Sequence, residues 1–219
     1  MAMLKQAAPL REQAVTILRE RIVRGELQAG QRLIERVLVE ELDVSRTVVR
    51  EALRQLESER LIRIEPHVGP LVEELTAEEA RQLYEVRAAL EGAAARLAAE
   101  HRTDAELREL HEALLHIDEH FEPFDELLAA KERFYAALIA ASHNQIIGEQ
   151  LAGVQARISQ LRRVTLQQPS RGRQMVGELQ RVVNAVAARD RDAAFAASIE
   201  HVSAAAQIAA AHFQEQPEE

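Results

Sequence analysis

Three arginines, Arg46, Arg50 and Arg54, recur at every fourth position of a segment that follows a serine. That spacing brings their guanidinium groups to one face of an α-helix. A planar guanidinium carries paired N–H donors that match two phosphate oxygens or the O6 and N7 acceptors of a guanine edge, so a row of three is chemistry for a nucleic-acid duplex. Ser45 and Thr47 stand at the head of the same segment, where hydroxyls and free backbone N–H groups can take a phosphate. Val49, Leu53 and Leu56 fall roughly opposite the arginines, so one side packs and the other stays cationic. An ordinary solvated helix face would show the same arginine spacing if it stood alone. The elements around it decide between the two.

A second group points inward. Leu127, Lys131, Phe134, Tyr135 and Leu138 share one helical face, which turns the Lys131 ammonium toward an interior. A buried lysine is costly unless paired, so Lys131 either receives an anion or bridges to an acid such as Glu91, or it snorkels to the rim. Glu112, His116 and His120 follow one another at four-residue steps and could clamp zinc, but no fourth ligand lies nearby and a solvated face is the better reading. His143 and Asn144 mark a helix junction, where Asn as cap suffices. Enzyme signatures are missing: there is no Gly-rich phosphate loop, nucleophile elbow, His-Glu-x-x-His or pair of acids beside a base. With no cysteine in the chain, thiolate catalysis, disulfides and Cys-ligated metal are excluded.

The arginine row is expected to be carried by a compact run of short elements. Residues 10–24 place Ala14, Ile17, Leu18 and Ile22 on a helical stripe that Gly25 stops. Gly25–Gly30 reads as a turn, Arg32-Leu33-Ile34 as a short extended piece and Glu35–Leu42 as a two-turn helix. Ser45 then caps a longer helix over Arg46–Ser58. Leu61–Ile64 and Leu71–Glu73 read as two strands joined by a turn at Pro66–Pro70, which gives helix, helix, helix, hairpin. From Thr76 onward strand signals vanish. Capping boxes at Thr76/Glu79 and Thr103/Glu106 open two helices, the first with Leu83, Val86, Leu90, Ala94 and Leu97 in a stripe and the second with Leu107, Leu110, Leu114 and Ile117 inward. Pro123 breaks the chain. Helices over Asp125–Ala141, Asn144 to about Gln167, Arg173–Arg189 and Asp192–Phe213 follow, with a polar break at Pro169–Gly172, making six or so, and the acidic tail beyond Gln214 reads as frayed. The expected fold is mostly α: a winged helix-turn-helix domain over residues 1–75 and an all-helical bundle over residues 76–219.

Composition agrees: hydrophobic residues make up 47% of the chain, charged residues 29% and aromatics 3%. The formal charge of −9, taken over the whole chain, opposes a nucleic-acid partner. Residues 1–75, however, hold 12 Lys or Arg against 13 Asp or Glu, so the acidity resides in the helical part. Phosphate responds to the local field over ~10 Å, and a nearly neutral domain with its arginines on one side can dock on DNA. No apolar run reaches the ~18 residues of a membrane span, and the first residues lack a secretory signal, so a cytoplasmic protein is expected.

The stretch ELQAGQRLIERVLVEELDVSRTVVREALRQLESERLIRIEPHVGPLV resembles the GntR family of bacterial regulators, and the remainder, from ELTAEEARQLYEVRAALEGAAARLAAE, resembles the FCD effector domain of its FadR branch. The resemblance implies that Arg36, Arg46, Thr47, Arg50 and Gly69 occupy positions that contact DNA in the family; the residues themselves add Ser45 and Arg54. Val48 stands where many members have Pro, a change of little weight in a first helical turn. Many FCD domains hold a divalent metal with one Asp and three His. Here Lys131 stands at the Asp position, Tyr135 and Leu179 at two of the His positions, and only His201 matches, so no metal is expected. Lys131 would then take over the electrostatic role and bind an anionic effector, such as a carboxylate, with Arg87, Tyr135 and His201. The expected function is a ligand-responsive, homodimeric DNA-binding regulator, a repressor on a palindromic operator, in which the effector shifts the spacing of two winged heads. The alternative is a regulator whose helical domain only dimerises.

Overall fold

The computed structural model describes residues 4–119, 124–166 and 171–215. The chain divides into two compact units. One runs to Leu75 and takes in Ala156–Gln160; the other holds Thr76–Gln155 and the chain from Leu161 onward.

The first unit is built from α1 (Leu4–Val23), α2 (Glu35–Leu42), α3 (Arg46–Ser58) and a hairpin of β1 (Ile62–Glu65) and β2 (Gly69–Val72). Its core gathers Leu18 and Ile22 of α1, Leu38 of α2, Val49, Leu53 and Leu56 of α3, and Leu61, Ile62 and Val72 around the hairpin. α1 starts at Leu4, before the residue 10 expected, with Pro9 inside it. Its buried stripe is Ala14, Val15, Leu18 and Ile22, whereas Ile17 is 44% exposed. The turn between α2 and α3 needs one residue in the left-handed region, and Asp43 takes it at φ 49°; aspartate is among the few non-glycine residues that tolerate this. Ser45 then caps α3, its side chain accepting from the Val48 N–H at 3.3 Å. β1 and β2 pair antiparallel from Ile62 opposite Val72 to Glu65 opposite Gly69. Arg32 bridges to Leu71 on the far edge of β2, so the short extended piece lies beside the hairpin. Gly69 sits at φ 97° with nothing near its Cα where a side chain would stand. Glycine is required there by backbone conformation rather than by lack of space.

From Ala77 onward the described residues form seven helices: α4 (Ala77–His101), α5 (Asp104–Glu119), α6 (Phe124–Ser142), α7 (Gln145–Arg157), α8 (Ser159–Leu166), α9 (Arg171–Ala187) and α10 (Arg191–Glu215), of which the last two residues of α7 and the first two of α8 belong to the first unit. Both expected capping boxes form: Thr76 accepts from the Glu79 N–H at 3.2 Å, and Thr103 from the Glu106 N–H at 3.2 Å. Asn144 accepts from the Ile147 N–H at 3.3 Å and so heads α7. Leu110, Ile117, Phe134, Leu138, Met175, Leu179, Val183 and Val186 form the centre of the core. α4 and α10 approach closely at Gly92, where a Cβ would lie 2.9 Å from the Phe195 ring.

Three expectations are corrected here. The helix expected from Asn144 to about Gln167 is two helices, interrupted at Ile158, which raises six to seven. The buried face of α4 is not the stripe through Val86, which is 48% exposed, but one turned to include Arg87 and Glu91, both buried. α9 starts at Arg171, inside the stretch read as a polar break. His120, Pro123, Pro169, Ser170 and the end of the acidic tail lie outside the described residues. No described helix is long and apolar enough to cross a membrane.

Candidate functional site

α3 presents the arginine row. Its buried residues are Val48, Val49, Ala52, Leu53 and Leu56, which lock one side against α1 and the hairpin, while Ser45, Arg46, Thr47, Arg50 and Arg54 are all exposed. Arg46 and Arg54 have no hydrogen-bond or ion-pair partner among the described residues. Arg50 is engaged: its Nε donates to both carboxylate oxygens of Glu35 on α2, at 2.9 and 3.1 Å. Arg36, also on α2, pairs with Glu40 at 2.8 Å, with both side chains well exposed. Such surface pairs contribute ~0–1 kcal/mol, so a phosphate can exchange for the carboxylate at little cost. Gly69 lies at the tip of the hairpin beside His67 and Val68, which are exposed.

The second unit holds a cluster of charged side chains in its interior. Arg87 of α4 is 6% exposed and donates to Glu91 at 2.7 Å and, through another nitrogen, to the Tyr135 hydroxyl of α6 at 2.8 Å. Tyr135 Oη lies 3.0 Å from His201 Nε2 of α10, and His201 Nδ1 lies 2.8 Å from Glu178 of α9. Glu178 also receives both terminal nitrogens of Arg171, one at 2.8 Å. The carboxylate can only accept, so Nδ1 carries the imidazole proton and Nε2 accepts the tyrosine O–H. Burial pushes His201 below its ordinary value; Glu178 pulls it up, and the charges of Arg87 and Lys131 push it down again. Both of its nitrogens are occupied.

Lys131 faces this cluster from α6. It keeps some exposure and has no hydrogen bond or ion pair among the described residues. Burial of its ammonium, together with the charges of Arg87, Arg162 and Arg171, pushes its pKa down to about 7, against the pull of Glu91. Burial likewise depresses Arg162 of α8, whose contact with the exposed Glu132 is a long 3.5 Å.

The structure thus brings Arg87, Tyr135 and His201 into one hydrogen-bonded chain with Lys131 beside it. The sequence reading missed Glu178, Arg171 and Arg162. Arg171 and Glu178 are seven residues apart, two turns of one helix, with the buried Met175 between them; that spacing was the available signal. Arg162 carries no such mark.

Comparison with known proteins places both units. The gntR family of bacterial regulatory proteins matches residues 10–72 and the FCD domain matches residues 82–204. The transcriptional regulator LutR of Bacillus subtilis is 30% identical over 216 residues, covering 89% of this chain and 98% of that protein. The transcriptional repressor RspR of Escherichia coli is 26% identical over 203 residues, covering 91% and 88%. The solved structure of E. coli McbR/YncC superposes with a TM-score of 0.79 at 25% identity, covering 94% of this chain and 98% of that one. These relatives are regulators, not enzymes. The chain belongs to the GntR family of transcription regulators and combines its DNA-binding helix-turn-helix with an FCD effector-binding domain.

Proposed function

We propose that this protein is a homodimeric, cytoplasmic repressor that binds a palindromic operator through α3 and the hairpin and is released by a small anionic metabolite bound in the helical unit. The carrying observation is the outward face of α3, where Arg46 and Arg54 stand unpartnered above a tightly packed inner face. Arg36, Ser45, Thr47, Arg50 and Gly69 complete the surface, arginines to phosphates and guanine edges, the hydroxyls to phosphate at the helix start. The name of the RspR relative supports the sign of regulation.

In the helical unit the donor set does not fit the metal that many FCD domains hold. Tyr135 occupies His201 Nε2, Glu178 occupies Nδ1, and Lys131 and Leu179 stand at two other ligand positions. Among the described residues no group of three or more His, Asp or Glu side chains is placed to hold a metal ion. Arg87, Lys131, Tyr135 and His201 line a metal-free anion site in which Lys131 supplies the open donor and Tyr135 and His201 hold Arg87 in place. A helical unit that only dimerises would leave the unpartnered Lys131 ammonium without a purpose.

The test is fluorescence anisotropy with duplex DNA from upstream of the protein's own gene, with and without organic acids and with chelator throughout. Binding at least a hundredfold tighter than to random duplex, relaxed by an acid and unaffected by EDTA, is the expected result. Equal affinity for random DNA would end the reading.

A further inference from the structure

The charges of the inner cluster do not balance. Arg87 of α4, Lys131 of α6, Arg162 of α8 and Arg171 of α9 act on one another electrostatically. Two carboxylates lie within the cluster, and each is committed: Glu91 to Arg87, Glu178 to Arg171 and His201. Tyr84 and Tyr135 are held in their neutral forms, burial raising both. Two cations are left over. Among the described residues Lys131 has no partner, and the only carboxylate Arg162 reaches is Glu132, at 3.5 Å, the outer limit of a hydrogen bond, which is 59% exposed and screened by water; its other contact is the neutral Gln155 carbonyl, also at 3.5 Å. A further donor is unspent: Nε of Arg171 is buried without a partner. Buried donors and uncompensated buried charges are rare because each costs free energy, so side chains that keep several together are suited to receive an anion. The downward push on Lys131 fits the same picture, since burial first and then the charges of three guanidiniums disfavour its ammonium until a negative charge offsets them.

We infer that the inner cluster selects small dianions, one negative charge for each of the two cations, Lys131 and Arg162, that its own carboxylates leave uncompensated. The inference rests on the reading that the helical unit takes an anionic effector, and it narrows that class. A dianion carries either two carboxylates or one phosphate monoester. A monocarboxylate of the same length satisfies one cation and leaves the other buried beside the same like charges.

Full-length protein titrated calorimetrically at pH 7.5 with succinate, ethyl phosphate and butyrate tests this. Both carboxylic acids have four carbons and differ in charge. At least one dianion binds tenfold or more tightly than butyrate, and Lys131→Met and Arg162→Met each reduce dianion affinity at least tenfold while moving butyrate less than threefold. A preference for succinate over ethyl phosphate assigns two separated carboxylates; the reverse preference assigns a phosphate. Two variants on different helices guard against one of them misfolding, and circular dichroism checks both. Butyrate within threefold of both dianions overturns the inference while leaving the anionic-effector reading intact. Failure of all three anions to bind removes both.

Discussion

Glu178 accepts from three donors, two on Arg171 and one on His201, and this decides its protonation. Burial alone would raise its pKa, but the hydrogen bonds and charges of His201 and Arg171 outweigh burial and hold it at about 2, below the ordinary 4.5. A carboxyl depressed on folding contributes stability that is fully present above about 4.5 and is lost as pH falls toward and through about 2. Glu178→Ala therefore lowers stability at pH 7 by about 3 kcal/mol, since it strands a buried guanidinium. Urea unfolding of wild type and variant from pH 7 to pH 2 reads both effects: the gap between them narrows only in the acid window. A gap that stays constant down to pH 2 would show that the carboxylate is not what Arg171 depends on. His201 was legible in the sequence because it matched a family position, and Lys131 because its face was apolar. Arg171 was not, because the neighbouring Pro169 and Gly172 look like a break, and only tertiary packing carries the helix back to residue 171.

At the scale of elements, α2 and α3 are joined across their exposed side by Glu35 and Arg50. Glu35→Gln frees the Arg50 guanidinium for the duplex and removes a negative charge from the face. DNA affinity rises about threefold, and thermal stability changes by less than about 1 kcal/mol, as for an exposed pair. Anisotropy with operator DNA and a thermal melt measure the two quantities. Weaker binding in the variant would mean that Arg50 must be pre-positioned by Glu35. The bounds of α2 and α3 could be read directly, since Ser45 marks a start and their hydrophobic spacing is unmixed. α4 could not be read so simply. Its inward face mixes Leu83 and Ala94 with Arg87 and Glu91, and a rule that seeks apolar residues slides past those two onto Val86, which faces solvent. The interruption at Ile158 has neither Gly nor Pro to announce it, so periodicity runs straight through.

The chain carries two units that differ in electrical character. The first is nearly neutral yet displays its cations on one helix; the second is acidic overall yet buries an excess of cations at its centre. Net charge predicts neither, because a duplex and a small anion both respond to fields within a few ångströms. The two-part plan was visible in the sequence, where the hairpin is followed at once by the capped α4. The charge surplus at the centre of the second unit was not, because it is assembled from four helices.

On the proposed function, α3 delivers its guanidiniums to DNA phosphates and bases. Operator affinity measured across a salt series, for wild type and for Arg46→Ala and Arg54→Ala, tests it most directly. Wild-type affinity falls steeply with log salt, and each variant that loses a phosphate contact makes the slope shallower by about 0.9. If the affinity and salt slope of both variants match wild type, α3 is not the face that meets the duplex.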